Sequence, residues 1–173
     1  MAEIYLISGG TRSGKSKFAE KLAKNYNKIT YIALSQKRNN DLEWQNRIKQ
    51  HRIRRPNHWK TIETDELINV LNNEKDTLII DSVGGFVMKG ISMDDNEWSV
   101  YKKSLLKCLL NYKNTLIIVG EQVGWGLVSE YKVGNLFADR LGEIMNAITK
   151  IADKNWLTIN GKALRLDDIF IDI

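Results

Sequence analysis

Eight consecutive residues, Gly9-Gly10-Thr11-Arg12-Ser13-Gly14-Lys15-Ser16, have the types and spacing G-x-x-x-x-G-K-[ST] of a loop that wraps a phosphate. Glycines remove the Cβ atoms that would hold the backbone away from an anion. The exposed N–H groups and the start of the following helix then face the charge. Lys15 is placed for the β- and γ-phosphates of a nucleotide, and the Ser16 hydroxyl for Mg²⁺. A second set of polar residues stands at the ends of apolar runs. Thr77-Leu78-Ile79-Ile80-Asp81 closes on a carboxylate. In phosphate-loop proteins such a strand is expected beside the first, its acid holding Mg²⁺, often through water. The competing reading is an Asp that caps a turn. Leu116-Ile117-Ile118-Val119 is followed by Gly120-Glu121-Gln122-Val123-Gly124-Trp125-Gly126. An acid among three glycines predicts a mobile loop at the same sheet edge, with Glu121 as a loop contact.

The third stretch runs from Asp41 to Arg55 and contains His51 among Arg47, Lys49, Arg52, Arg54 and Arg55. Asp41 can cap a helix there. Trp44 and Ile48 form one apolar stripe, and Glu43, Arg47 and His51 step along the adjacent one. Nearby cations favour the neutral, nucleophilic imidazole, and they also bind phosphate oxygens. A histidine that attacks an α-phosphate makes a covalent nucleotidyl intermediate. On the residues alone the stronger reading is a solvated histidine on a basic helix face. His58, beside Trp59, reads as surface.

These groups need a scaffold that brings strand ends together. Six apolar runs, 3–8, 28–34, 59–63, 77–81, 114–119 and 155–159, read as strands, with helical segments near 16–25, 41–54, 65–73, 94–112 and 131–153. That alternation predicts an α/β, phosphate-loop NTPase-like fold: a mostly parallel sheet covered by helices on both faces. Asn160-Gly161 is a hairpin turn, so 163–166 returns antiparallel to 155–159. No repeat or linker divides residues 1–173, which read as a single nucleotide-binding domain. The composition, 43% apolar, can build its core. A lone cysteine, Cys108, permits no internal disulfide and fits a core position in a reducing cytoplasm. No apolar run approaches membrane-spanning length, and the first one follows no basic leader. A net charge of +5 suits a polyanionic ligand of any kind.

Taken together, these pieces resemble the bifunctional adenosylcobinamide kinase and adenosylcobinamide-phosphate guanylyltransferase family of cobalamin synthesis. The likeness lies in the Gly-Gly-x-Arg-Ser form of the phosphate loop and in Tyr31-Ile32-Ala33. It is most specific in Asp41-x-Glu43, Arg47-Ile48-x-x-His51, Arg55 and Trp59-x-Thr61-x-Glu63. It resumes at Glu121-x-Val123-Gly124-x-Gly126 and Phe137-x-Asp139-x-x-Gly142-x-x-Asn146. The resemblance implies that a γ-phosphate moves onto the aminopropanol hydroxyl of adenosylcobinamide. GMP then moves from GTP onto that phosphate through a guanylylated histidine, which by motif position is His51. It implies GTP and ATP as substrates with Mg²⁺ held at Ser16 and Asp81, and catalysis by His51 and Lys15. Nucleotide contacts fall on Gly9, Gly10, Thr11, Arg12, Ser13, Gly14, Lys15 and Ser16, on Leu34, Ser35 and Gln36, on Arg52, Ile53, Arg54 and Arg55, and on Glu63 and Asp81. It further implies a homotrimer whose subunit faces form the site. The chain departs from the family's pattern after Asp81, where threonine and a downstream asparagine are usual and Gly84, Gly85 and Lys89 stand instead. Gly120 replaces an asparagine, Ser129 stands where proline is common and Asn135 where arginine is.

Two other functions compete: a phosphate-loop kinase of another small alcohol without a covalent histidine, and a nucleic-acid-dependent ATPase. Against the latter, the basic run to Lys60 lacks aromatics interleaved for base stacking. All three need Lys15. Lys15→Ala is expected to abolish nucleotide turnover with the fold intact, at a cost of about 2–4 kcal/mol in transition-state stabilisation. Near-native turnover by the folded variant would sink the phosphate-loop reading.

Overall fold

Successive side chains of a strand point to opposite faces, and here both faces are dry. Leu6, Ile32, Ile80 and Ile118 point to one side and Ile7, Tyr31, Ile79 and Ile117 to the other, all of them buried. Strands buried on both sides belong to a parallel sheet between helical layers. The computed structural model describes residues 2–34 and 55–171 and has that form. Seven strands make one sheet: β1 (Ile4–Gly9), β2 (Ile29–Leu34), β3 (Lys60–Thr64), β4 (Thr77–Asp81), β5 (Leu116–Glu121), β6 (Lys154–Ile159) and β7 (Lys162–Arg165). Their order is β3-β2-β4-β5-β1-β6-β7. Every pairing is parallel except β6 with β7, which closes through Asn160-Gly161. Both turn residues have positive φ, 50° and 77°, as a tight hairpin requires.

Among the described residues five helices cover the sheet: α1 (Lys15–Ala23), α2 (Leu67–Asn73), α3 (Val83–Lys89), α4 (Asp95–Asn111) and α5 (Lys132–Thr149). α1 presses Ala19 and Ala23 onto Ile7, Tyr31 and Ile117. The other four bury Leu71, Phe86, Trp98, Leu105 and Ile144 on the opposite face. Each fully buried aliphatic or aromatic side chain there is worth about 1.5–3 kcal/mol. α4 starts on a capping box: the Asp94 carboxylate accepts from the Glu97 N–H at 2.8 Å and Glu97 accepts from the Asp94 N–H at 3.0 Å.

Two features differ from the sequence reading. The strand carrying Asp81 was expected beside β1, but β5 lies between them. At about 4.8 Å per strand, β4 stands roughly 10 Å from β1. α3 was not anticipated at all. It is seven residues long and carries Gly84 and Gly85 in its first turn, so propensity argues against it. Tertiary contacts supply what propensity withholds. Phe86 is fully buried and stacks on Tyr101 with ring centroids 4.2 Å apart. From α5 the buried Arg140 guanidinium donates to the carbonyls of Gly90 and Met93, both at 2.7 Å, and lies over the Trp98 ring. One cation thereby adds a charged donor to the Gly90 carbonyl, which also accepts from the Met93 N–H at 3.1 Å, and reaches the Met93 carbonyl beyond the turn. The segment expected to be helical near 41–54 lies outside the described residues.

Candidate functional site

All the parallel strands end at one edge of the sheet, which is where such folds bind ligands. The register makes this explicit: Gly9 pairs with Glu121, Asp81 with Val119, and Ala33 with Asp81. The phosphate loop, Asp81 and Glu121 therefore share that edge.

The loop leaves β1 at Gly9. A Cβ on Gly9 would stand 2.4 Å from the Thr158 carbonyl oxygen and 2.7 Å from Ser13 Oγ, so no other residue fits. Gly14 takes φ 104° at the N-cap of α1, a left-handed conformation open mainly to glycine. Lys15 and Ser16 are the first two helical residues. Lys15 Nζ donates to the Gly10 carbonyl at 2.7 Å, which folds the ammonium back across the loop. Thr11 and Arg12 are exposed, and Arg12 has φ 58°.

Sequence reasoning missed what holds this loop in shape. Thr158, on β6, is 2% exposed. Its hydroxyl donates to the Ser8 carbonyl at 3.1 Å and lies 2.8 Å from Ser13 Oγ. A threonine hydroxyl has one hydrogen. With that hydrogen on Ser8, the Ser13 hydroxyl must be the donor in the second bond. Ser13 thus spends its hydroxyl proton inward, and its N–H closes the loop by donating to the Gly10 carbonyl at 3.3 Å. Across the hairpin, the Gly161 N–H donates to the Ser13 carbonyl at 2.9 Å. The β6–β7 turn is thereby a buttress for the loop. The signal in the sequence was a polar residue between Leu157 and Ile159, two positions before Asn160-Gly161.

At β4, the Tyr31 hydroxyl donates to Asp81 Oδ2. Tyr31 is fully buried, and the Arg55 guanidinium sits 3.4 Å above its ring. Burial first, then the negative charge of Asp81, pushes the phenol well above its ordinary range, with Arg55 pulling the other way. It therefore stays a donor throughout the working pH range. Arg55 is itself buried, and its Nε has no hydrogen-bond partner among the described residues. Glu121 reaches from the end of β5 to the start of α3. It accepts from the Ser82 hydroxyl and from the Gly84 N–H, the latter at 3.1 Å. It thus ties a strand to a helix, whereas the sequence reading had it as a loop contact.

Other expected contacts are less close to the loop. Leu34 ends β2 with its side chain buried, and its carbonyl lies against Gly85. Glu63 is exposed on β3, four strands from β1, roughly 19 Å at the usual strand spacing. Ser35, Gln36, His51, Arg52, Ile53 and Arg54 lie outside the described residues. Among the described residues no group of three or more His, Cys, Asp or Glu is arranged to hold a metal. The Ser16 hydroxyl and the Asp81 carboxylate are nevertheless hard oxygen donors. They suit Mg²⁺, which keeps most of its waters and is commonly bound through one or two protein groups and substrate phosphates. Across the intervening β5, Asp81 would reach such an ion through water.

The model of the family described as cobinamide kinase / cobinamide phosphate guanyltransferase matches residues 5–166. The chain belongs to this family. It is 30% identical to the bifunctional adenosylcobalamin biosynthesis protein CobU of Escherichia coli (strain K12), over 94% of this chain and 99% of that protein. It is 32% identical to the bifunctional adenosylcobalamin biosynthesis protein CobP of Pseudomonas aeruginosa, over 93% and 95%. Solved structures share the fold at low identity. The P4 protein of bacteriophage phi6 in complex with ADP aligns with TM-score 0.50 at 14% identity, over 94% of this chain and 52% of that one. A prototypical ATPase from the type III secretion system of pathogenic bacteria aligns with TM-score 0.51 at 11% identity, over 90% and 50%. This member of the cobinamide kinase family accommodates its unusual residues locally. Met145 fills the space beside Gly120, where a Cβ would meet its sulfur at 2.2 Å. Ser129 and Asn135 bond to each other, N–H to Oδ1 and Nδ2 to carbonyl, both at 3.0 Å. Lys89 pairs with Glu66 and, at 3.7 Å, with Asp65.

The buttress makes a direct prediction. Thr158→Val removes two buried hydrogen bonds at nearly constant volume, so chemical denaturation should show a loss of about 1–3 kcal/mol. Thr158→Ser should keep most of it. Equal stability of valine and threonine would show that the hydroxyl does not hold the loop.

Proposed function

We propose that this chain, as one phosphate-loop domain, phosphorylates adenosylcobinamide and transfers GMP from GTP to the resulting phosphate. The observation that carries this reading is the family match over residues 5–166, with the phosphate loop, Asp81 and Arg55 held at or beside one sheet edge. In the kinase step the acceptor hydroxyl forms a new bond to the γ-phosphorus. The bond from that phosphorus to the β,γ-bridging oxygen breaks, releasing a nucleoside diphosphate and the hydroxyl's proton. The N–H groups of Thr11 to Ser16 and the Lys15 ammonium hold the triphosphate and stabilise charge as it shifts to the leaving oxygen. Lys15, now on the Gly10 carbonyl, would exchange that acceptor for phosphate oxygens. Mg²⁺, when bound between Ser16 and Asp81, supplies charge neutralisation at the β- and γ-phosphates.

In the transferase step a neutral His51 nitrogen attacks the α-phosphorus of GTP and pyrophosphate leaves. The P–N bond then breaks as an oxygen of the cobinamide phosphate takes the GMP. Two displacements replace one, and the phosphoramidate keeps its transfer potential meanwhile. Arg52, Arg54 and Arg55 would neutralise the incoming triphosphate, with Ser35, Gln36, Ile53, Leu34 and Glu63 completing the nucleotide's surroundings. Among the described residues no helix is long and apolar enough to cross a membrane. We propose a homotrimer working in the cytoplasm, with the exposed Trp125, Leu127 and Val128 on a subunit face. Sedimentation as a single 19.9 kDa chain would contradict the trimer.

The test uses GTP labelled at the α-phosphate. Label should remain on the denatured protein, be lost in acid and survive in base, as a phosphoramidate does. His51→Ala should abolish labelling and GMP transfer yet keep γ-phosphoryl transfer. Labelling of the His51→Ala protein would assign the nucleophile elsewhere. A wild type that binds GTP but never labels would favour a kinase of a different alcohol.

A further inference from the structure

A carboxylate that holds a metal through water must be aimed, because a freely turning carboxyl gives the ion no fixed position. Losing a group that hydrogen-bonds to a metal ligand therefore typically costs about 10–100-fold in metal affinity. At Asp81 the aiming group is visible. The Tyr31 hydroxyl donates to Oδ2, so the phenol engages one oxygen of the carboxylate and not the other. Tyr31 comes from β2, the strand paired directly with β4, its Cα in register with Ile79 two residues before Asp81. Side chains two apart on a strand share a face. The contact is thus built into the register and not into a loop.

The ring is fixed as firmly as the hydroxyl. Tyr31 is fully buried on the α1 face of the sheet among Ile7, Ala19, Ala23 and Ile117. The Arg55 guanidinium caps it at 3.4 Å. A cation over the ring draws density from the phenol and strengthens it as a donor to a carboxylate. Tyr31 is the one hydroxyl-bearing aromatic in Ile29–Leu34, whose other residues are aliphatic apart from Thr30.

We propose that Tyr31 is a positioning residue of the phosphoryl-transfer centre: its hydroxyl orients the Asp81 carboxylate for magnesium, and Arg55 on its ring ties that carboxylate to the basic segment ending at residue 55. The inference rests on the reading of Asp81 as the magnesium-side acid. Through this chain of contacts Arg55 and Asp81 share one phenol.

The test separates the two readings. A β,γ-imido analogue of GTP is titrated calorimetrically into wild type, Tyr31→Phe, Asp81→Asn and the double variant, each in excess Mg²⁺ and in EDTA. The readout is the factor by which Mg²⁺ tightens binding. Phenylalanine keeps the ring under Arg55, and Asp81 is only half-buried, so water can replace the lost donor and the variant folds. Tyr31→Phe should lower the Mg²⁺ factor about tenfold, leave affinity in EDTA unchanged, and add nothing in the Asp81→Asn background. A factor unchanged in Tyr31→Phe but lowered in Asp81→Asn would overturn the role of Tyr31 alone. So would an effect that adds fully to Asp81→Asn. A factor unchanged in Asp81→Asn would overturn the magnesium reading of Asp81 itself.

Discussion

Gly9 is the point at which β1 must stop being a strand and turn over an anion, and the turn is only as good as the walls around it. β1 lies between β5 and β6, so both sides of its backbone are paired until the last residue. Thr158 then takes over where the ladder ends, joining the Ser8 carbonyl to the Ser13 hydroxyl. The loop is thereby shaped before any ligand arrives. An anion site formed in advance costs little reorganisation when charge shifts in the transition state. The antiparallel β6–β7 hairpin, which looks peripheral in the topology, holds the central loop from behind.

A second brace works at the other side of the crevice. α3 is too short and too rich in glycine to stand alone, yet it directly follows Asp81. Glu121 holds its first turn and Arg140 its last. Gly84 and Gly120 belong to the same arrangement: a side chain at 84 would press on the Glu121 carboxylate at 3.0 Å, and one at 120 on Met145. The departures from the family's usual residues therefore read as a repacked support, with Ser129 and Asn135 exchanged as a bonded pair.

Much of this was legible beforehand, for physical reasons. Aliphatic runs buried on both faces, with amphipathic stretches between them, leave few alternatives to a parallel sheet, and Asn160-Gly161 specified the hairpin. Lys15 was singled out by the G-x-x-x-x-G-K-[ST] spacing, and Asp81 because strand ends in such sheets meet at one edge. Three things were not legible. The neighbour of β1 depends on which strand inserts, and periodicity carries no information about that. α3 is held by Arg140 and Glu121, residues at least 37 positions away in the chain. Tyr31 and Thr158 look like ordinary strand residues until the register aligns each with its polar partner. The functional reading of His51 came from resemblance, since a histidine among arginines has no signature of its own.

The central claim is that this strand edge is a magnesium–triphosphate site built around Lys15. A crystal structure with Mg²⁺ and a non-hydrolysable GTP analogue tests it most directly. The account predicts the phosphates wrapped by the N–H groups of residues 11–16, with Lys15 Nζ moved from the Gly10 carbonyl onto phosphate oxygens. It also predicts the ion between Ser16 and a water held by Asp81. A triphosphate bound away from the loop, with Lys15 still on Gly10, would contradict it.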